Sequence, residues 1–268
     1  MKKFKLISLL IIAVMVLGCL ASCGEVTTEE MIAKADKALL NGAYSADVEI
    51  AFTTDNPMLK EIFAALNAME MEFAYSNGNA KITSGMNTEV YGMTVESEAQ
   101  YVVVDDVIYL KNSVSVGGES TVVKQKANVT DLEKEDFLSE NVASMDVTST
   151  DFETVERKEV EKTTMISCEG LKQEAEASLN ELMKDMLGEL DGSISVKNVK
   201  LVVEIENGKY DEVKLSCDYV ITAEGESVTF GFVMTMDYDF DETVVIEAPQ
   251  DASSYETVDF SELEQGDM

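Results

Sequence analysis

Apolar and polar residues alternate along much of this chain with the period of two that is typical of half-buried β-strands. The clearest example is FGFVMTMDYDF at 230–240, where a large apolar side chain stands at every even position. The same alternation recurs in four further segments, at 69–75, 101–110, 201–205 and 213–221. Short turn signals such as Asn77-Gly78 separate these segments, so the pattern predicts a meander of antiparallel strands.

Two short helices are predicted near the start of this pattern. Thr27-Thr28-Glu29-Glu30 has the form of a capping box, and apolar residues at helical spacing follow it as far as Asn41-Gly42. Asn56-Pro57 opens a second helix, because proline is favoured in the first turn. The first predicted strand therefore lies between these two helices in the chain.

A longer apolar stripe at helical spacing runs over 171–190 and includes Leu179, Met183 and Met186. A stripe of this width is typical of a helix that packs on a sheet. The segment 118–162 mixes strand-like and acidic stretches without a clear period, and it receives no prediction.

The N-terminus has the three parts of an export signal: lysines at the start, an apolar run and small residues. Leu20-Ala21-Ser22-Cys23 follows and resembles the lipobox of bacterial lipoproteins, in which the cysteine carries diacylglycerol. Cys19 is a weaker candidate, and a secretory signal cleaved after Ser22 without lipidation is the alternative. The favoured interpretation is a chain anchored by Cys23 to the extracytoplasmic face of the cell membrane, with acyl chains such as palmitate.

Charge narrows the choice of partners. The chain has 52 acidic and 20 basic residues, a net charge of −32, and loss of the three leader lysines would take it to −35. Phosphate backbones require stripes of Lys and Arg, so nucleic acid is excluded as a partner. An anionic membrane surface would also repel this chain, so attachment requires a covalent anchor or a local patch.

Cys168 and Cys217 remain once the leader cysteines are set aside. Exported proteins tolerate disulfides, so this pair is a candidate bridge. The alternative is two buried thiols on apolar strand faces.

Catalytic chemistry is poorly represented in the composition. The chain has no His, which argues against a Ser-His-Asp triad and against the usual zinc sites. Asp237, Asp239, Asp241 and Glu242 alternate with the aromatic residues, but period-two spacing separates them too widely for one cation, and a solvated strand face is favoured. We therefore predict no enzyme, no metal and no cofactor.

The order of these features resembles that of the LolA/LppX-like lipoproteins over most of residues 28–257. The resemblance rests on the lipobox, the early helix, the meander, the late helix and the ending VVIEAPQDASSYE at 244–256. It implies an α+β, mainly antiparallel β fold: a strongly curved half-barrel sheet with helices packed on its concave face. The expected organisation is a signal peptide at 1–22, one domain at 23–252 and a flexible acidic tail at 253–268.

The resemblance also implies that the protein binds a lipid or other apolar ligand in the half-barrel cavity, as a monomer. The candidate cavity lining is Phe230, Phe232, Met234, Met236, Tyr238, Phe240, Leu179, Met183 and Met186. Alternation alone does not distinguish a cavity from a filled core. The alternative is therefore a non-catalytic envelope interaction or sensory protein whose core is filled.

Overall fold

The computed structural model describes residues 27–90, 92–141, 149–177, 180, 193–223, 226–241 and 243–265. Twelve strands in this part of the chain form one sheet. The strands are β1 (Ala43–Thr54), β2 (Met69–Ser76), β3 (Asn79–Val90), β4 (Met93–Val104), β5 (Val107–Val116), β6 (Glu119–Asn128), β7 (Phe152–Val160), β8 (Thr163–Leu171), β9 (Ser193–Glu206), β10 (Lys209–Ala223), β11 (Glu226–Asp239) and β12 (Glu256–Thr257). The helices are α1 (Thr28–Asn41), α2 (Pro57–Leu66), α3 (Asp131–Asn141) and α4 (Phe260–Gln265), and residues 173–177 are also helical. Short 3₁₀ turns cover Ser149–Asp151 and Ala252–Ser254.

The sheet consists of two meanders joined side by side. The order of strands is β12-β6-β5-β4-β3-β2-β1-β11-β10-β9-β8-β7, so β1–β6 and β7–β11 meet where β1 pairs with β11. All neighbouring strands are antiparallel except the parallel pair of β12 and β6. The predicted antiparallel meander is therefore confirmed.

The tight turns follow from their residues. Asn77 and Gly78 both have positive φ, at 54° and 76°, and Asn207 and Gly208 repeat this geometry at 54° and 76°. Asn and Gly adopt the left-handed conformation at low cost, and two such residues form the hairpin turn that matches the twist of the strands. Both Asn-Gly pairs thus set the register of their hairpins.

The N-terminal helix begins as its sequence predicts. Glu30 N donates to Thr27 Oγ1 at 3.2 Å, and Thr27 N donates to Glu30 Oε2 at 2.9 Å. The two bonds satisfy amide groups that the first turn of a helix leaves without partners. The capping box is confirmed, and Ile32 and Ala35 of α1 are buried against the sheet.

One face of the sheet is apolar, and we call it the inner face; the opposite one is the outer face. Residues paired across antiparallel strands point to the same face, so Val48, Met236 and Val213 form one inner row. The inner face carries two packed clusters. The first lies mainly on β8–β11 and the second mainly on β2–β6.

The predicted half-barrel with helices packed on its concave face is wrong. The described residues are mostly antiparallel strand in one open sheet of twelve strands with few helices, and these helices do not pack on a concave face. Alternation decides which side chains share a face, but twist, bulges and strand number decide curvature and closure. Residues 118–162, for which nothing was predicted, supply β6, α3 and β7 and so extend the sheet at both sides.

The C-terminal segment differs from the predicted flexible tail. Tyr255 and Leu263 are buried, β12 pairs with β6, and α4 follows it. Burial of a few apolar residues outweighs the acidic composition that suggested mobility. Residues 253–265 therefore belong to the fold.

Candidate functional site

The predicted ligand row on β11 belongs to the packed core. Phe232, Met234 and Met236 are buried, and Met234 has 0% of its surface exposed. Phe230 stacks on Tyr219 with ring centroids 5.1 Å apart, and the Phe232 ring lies 5.3 Å from that of Phe52. Protein side chains on β1 and β10 thus fill the space along the middle of the row.

The remaining members of the row pack against tyrosines. The ring of Tyr238 lies 5.9 Å from the rings of both Tyr44 and Tyr210, and Phe240 lies 5.4 Å from Tyr44. Aromatic pairs at these distances stabilise a core beyond the area that they bury. The inward orientation of the row holds for all six residues, since each shares a face with buried neighbours.

The helical part of the predicted lining is only partly described. Leu179, Met183 and Met186 lie outside the described residues, as does the lipidation site Cys23. Ala175, at the start of the same predicted helix, packs against the first core cluster.

A pocket of about 540 Å³ opens between the end of β8 and the start of β9. Its lining contains no residue of the β11 row and includes Glu169, Glu176, Lys197 and Lys200. Lys200 Nζ forms a salt bridge of 2.6 Å with Glu169. A pocket lined by ionised groups is a poor match for an acyl chain, because burying those groups under a ligand would cost free energy.

The two cysteines are buried and free. Cys168 lies on β8 opposite Leu201 of β9, while Cys217 lies on β10 on the other side of β9. Two strand spacings amount to about 9.6 Å, more than the 4.4–6.8 Å that a disulfide bridges between Cα atoms. Burial raises the pKa of the Cys168 thiol to about 11 and that of Cys217 to about 12. Cys168 and Cys217 therefore match the alternative prediction of two buried thiols, and they do not form the candidate disulfide.

Carboxylates crowd the outer face. Five of them lie opposite one another on adjacent strands, and we call this set the acidic row: Glu72, Asp47, Asp237, Glu212 and Glu204. Partial burial, with Glu212 and Asp211 nearby, raises the pKa of Glu204. Among the described residues, no group of three or more potential ligands is arranged to hold a metal ion.

The solvated strand face predicted at 237–242 is confirmed in its described part. Asp237, Asp239 and Asp241 are exposed, and Glu242 lies outside the described residues. Asp241 accepts hydrogen bonds from the backbone amide and the hydroxyl of Thr243, at 2.8 and 2.7 Å. These local bonds lower the pKa of Asp241 and close the turn after β11.

A second region of the inner face, on β3–β6, has a different character. Three cross-strand rows follow one another there, and their members are Ser84-Ala99-Asn112-Val123, Met86-Ser97-Val114-Thr121 and Thr88-Val95-Val116-Glu119. Eleven of these twelve residues are uncharged, and Glu119 stands at the outer corner. We call the eleven uncharged residues the uncharged face.

The twelve positions of these rows carry one charge, which is fewer than the composition of the chain predicts. With 27% charged residues overall, twelve positions would carry about three charges. The outer face of the same strands does carry them, for example Glu96, Glu98 and Lys111. Charge is therefore segregated between the two faces of β3–β6.

The uncharged face is partly open to solvent. Val114 and Val116 are 41% and 42% exposed, and Met93, which adjoins Val95 on the same face, is 50% exposed. Large apolar groups that stay exposed next to one another are typical of interaction and ligand-binding surfaces. This group is the strongest candidate site in the described part of the chain.

Packing explains why the uncharged face is open. The next rows towards the core contain the buried residues Val103, Ile108 and Leu110. Phe137 of α3 covers them, with its ring 5.8 Å from Tyr101 and 6.5 Å from Phe260 of α4. Both helices pack on the second core cluster, and the apolar surface continues beyond that cluster into the uncharged face.

The amino-acid sequence alone gives only a weak signal for this region. The alternation at 93–99 uses Ser and Ala between charged residues, and such small side chains give a weak hydrophobic signal. The pattern of charge does indicate an uncharged strand face, because every second residue from Met93 to Ala99 is uncharged.

No family model matches the chain, and no curated protein matches it. The resemblance to LolA/LppX-like lipoproteins therefore stays a prediction. Among the described residues, no helix has the length and apolar character needed to span a bilayer.

Proposed function

We propose that this protein is an extracytoplasmic lipoprotein, anchored by Cys23, that binds an acyl chain or a similar apolar ligand on the uncharged face without catalysing a reaction. The observation that carries the proposal is the run of adjacent, uncharged and partly exposed rows around Val114. The lipobox supports the anchor, and the lack of any His in the chain supports a non-catalytic role.

The size of the uncharged face suits part of a lipid. Three rows spaced by two residues span about 13 Å along the strands, and four strands span about 14 Å across them. Six of the eleven residues are apolar, so about half of that area of about 190 Å² would contribute about 2.5 kcal/mol of gross apolar burial at about 25 cal/mol per Å². Costs of association reduce this figure, so we expect weak, reversible binding, as a carrier requires.

The second candidate is an envelope interaction or sensory protein. The filled core along β11 favours it, because the row that was expected to line a cavity is occupied by protein side chains. The exposed members of the acidic row, Glu72, Asp47 and Asp237, would then supply part of the surface.

A charge placed on the uncharged face distinguishes the two candidates. Val114→Lys should weaken binding of a fluorescent fatty-acyl probe by about tenfold or more, since the ammonium group would have to be desolvated. Val122→Lys is the matched control, because Val122 is 52% exposed on the outer face of the adjacent strand. Probe titration and thermal unfolding are measured for both variants and the parent.

Two results would count against the ligand proposal. Absence of probe binding by the parent would favour the interaction protein, and so would equal loss of binding in both variants. The anchor is tested separately: Cys23→Ala should move the protein from the membrane fraction to the soluble fraction.

A further inference from the structure

Among the described residues, a side-chain hydrogen bond between buried Tyr210 and half-buried Asp36 connects helix α1 to the sheet. Tyr210 of β10 donates from its hydroxyl to Asp36 Oδ1 of α1 at 2.5 Å. Tyr210 is buried, and Asp36 is half-buried one residue after the fully buried Ala35. The carboxyl therefore lies in the interface between helix and sheet.

The other groups around this bond give Asp36 little compensation for the loss of water. Tyr238 of β11 is the second titratable neighbour, and its phenol donates to Met236 Sδ at 3.7 Å. The ring of Tyr44, on β1, packs against the ring of Tyr238 with centroids 5.9 Å apart. The two titratable groups that interact with Asp36 from the sheet, Tyr210 and Tyr238, are thus neutral phenols.

The nearby lysines are directed elsewhere. Lys34 of α1 lies over the turn at Gly208, and Lys209 Nζ lies 4.8 Å from the centre of the Phe240 ring. None of the salt bridges found among the described residues includes Asp36. A carboxyl in this position is held by a hydrogen bond without a paired cation.

We propose that α1 is a pH-controlled latch: protonation of Asp36 strengthens its contact with the sheet in acidic solution, and ionisation of Asp36 weakens that contact towards alkaline pH. The geometry permits both states, since a protonated carboxyl still accepts the hydrogen bond from Tyr210. The ionised state is less stable there, because burial removes part of the hydration that water gives to a free carboxylate.

The direction follows from linkage. Burial raises the pKa of Asp36 to about 6, and the bond from Tyr210 opposes this rise. A carboxyl that binds its proton more tightly when docked favours docking below that pH and loses the contribution as the pH rises. This dependence is opposite to that of a carboxylate in a salt bridge.

Hydrogen exchange on the purified protein measures the latch directly. A pKa that moves from 3.8 to about 6 on docking would change the docking equilibrium about tenfold between pH 5 and pH 8. Asp36 keeps part of its solvent contact, so we expect a three- to fivefold loss of α1 protection. Labelling times are scaled to the intrinsic exchange rate at each pH, and peptides of the β4–β5 hairpin are the internal reference.

Two variants give the proposal its test. Asp36→Asn keeps an acceptor for Tyr210 but does not titrate, so α1 protection should become independent of pH and exceed the parent's at pH 8. Tyr210→Phe removes the bond that opposes the raised pKa, so the transition should move to higher pH. Asp47→Asn, at an exposed carboxylate of β1, is the matched control, and its α1 protection should keep the parent's dependence on pH.

The proposal is overturned if Asp36→Asn retains the parent's pH profile, or if parent protection rises with pH. It is also overturned if Tyr210→Phe lowers α1 protection equally at every pH without moving the transition. That last result would show a purely structural bond.

Discussion

Repulsion between carboxylates of the acidic row lowers the free energy of unfolding of this protein by an amount that can be measured. Asp237 of β11 lies directly opposite Asp47 of β1 on one side and Glu212 of β10 on the other. Like charges at directly opposite positions of a sheet are destabilising. We expect Asp237→Lys to stabilise the fold, because it converts two repulsive pairs into two attractive ones.

The expected gain can be worked from the register. Two unit charges about 5.5 Å apart in water interact by about 0.75 kcal/mol. Reversing the sign changes each pair by about 1.5 kcal/mol and both pairs by about 3 kcal/mol. Screening at physiological salt roughly halves this figure, which leaves about 1.5 kcal/mol. Asp237→Asn removes the repulsion without adding attraction, so its gain should be half as large.

Urea unfolding at low and high salt measures both variants. The gain should fall below a quarter of its unscreened value at 1 M NaCl, where the screening length is about 3 Å. Glu96→Lys is the control, because Glu96 is exposed and lies opposite the uncharged residues Asn87 and Ser115. The reasoning is refuted if Asp237→Lys gains no more than Glu96→Lys, or if its gain is insensitive to salt.

Three further expectations concern the core, the thiols and the first helix. Met234→Ala should lower the free energy of unfolding by about 2–5 kcal/mol in urea titrations, since it leaves a cavity at a fully buried position; a loss below 1 kcal/mol would mean that the site is not tightly packed. Cys168 and Cys217 should both react with a maleimide after unfolding without reductant, and neither should react in the native protein; failure to label after unfolding would reveal a bridge. Thr27→Ala should destabilise α1 by about 1 kcal/mol in hydrogen exchange, and Thr27→Ser should restore it; equal protection in both variants would contradict the role of the cap.

Local features of the fold could be predicted because their causes are local. The capping box at Thr27 and the turn at Asn77-Gly78 depend on residues within one turn of chain, and both occur as predicted. The orientation of Met234 also follows from alternation, since a strand presents every second side chain to the same face.

The candidate site could not be found in this way. Val114 and Val95 belong to different strands, and only the register of β4–β6 places them in neighbouring rows. Their exposure depends in turn on where α3 and α4 end over the second core cluster. Neither the register of the strands nor the area that α3 and α4 cover can be predicted from the residues of a single segment.

Periodicity and the conformational preferences of neighbouring residues are enough to predict the clearly alternating strands, the Asn-Gly turns and the face to which each apolar residue of β11 points. Three features appear only in the folded chain: the sheet is open, β9 separates Cys168 from Cys217, and Tyr210 donates a hydrogen bond to Asp36. Such outcomes depend on strand order and on contacts between residues far apart in the chain, and local periodicity carries no information about either.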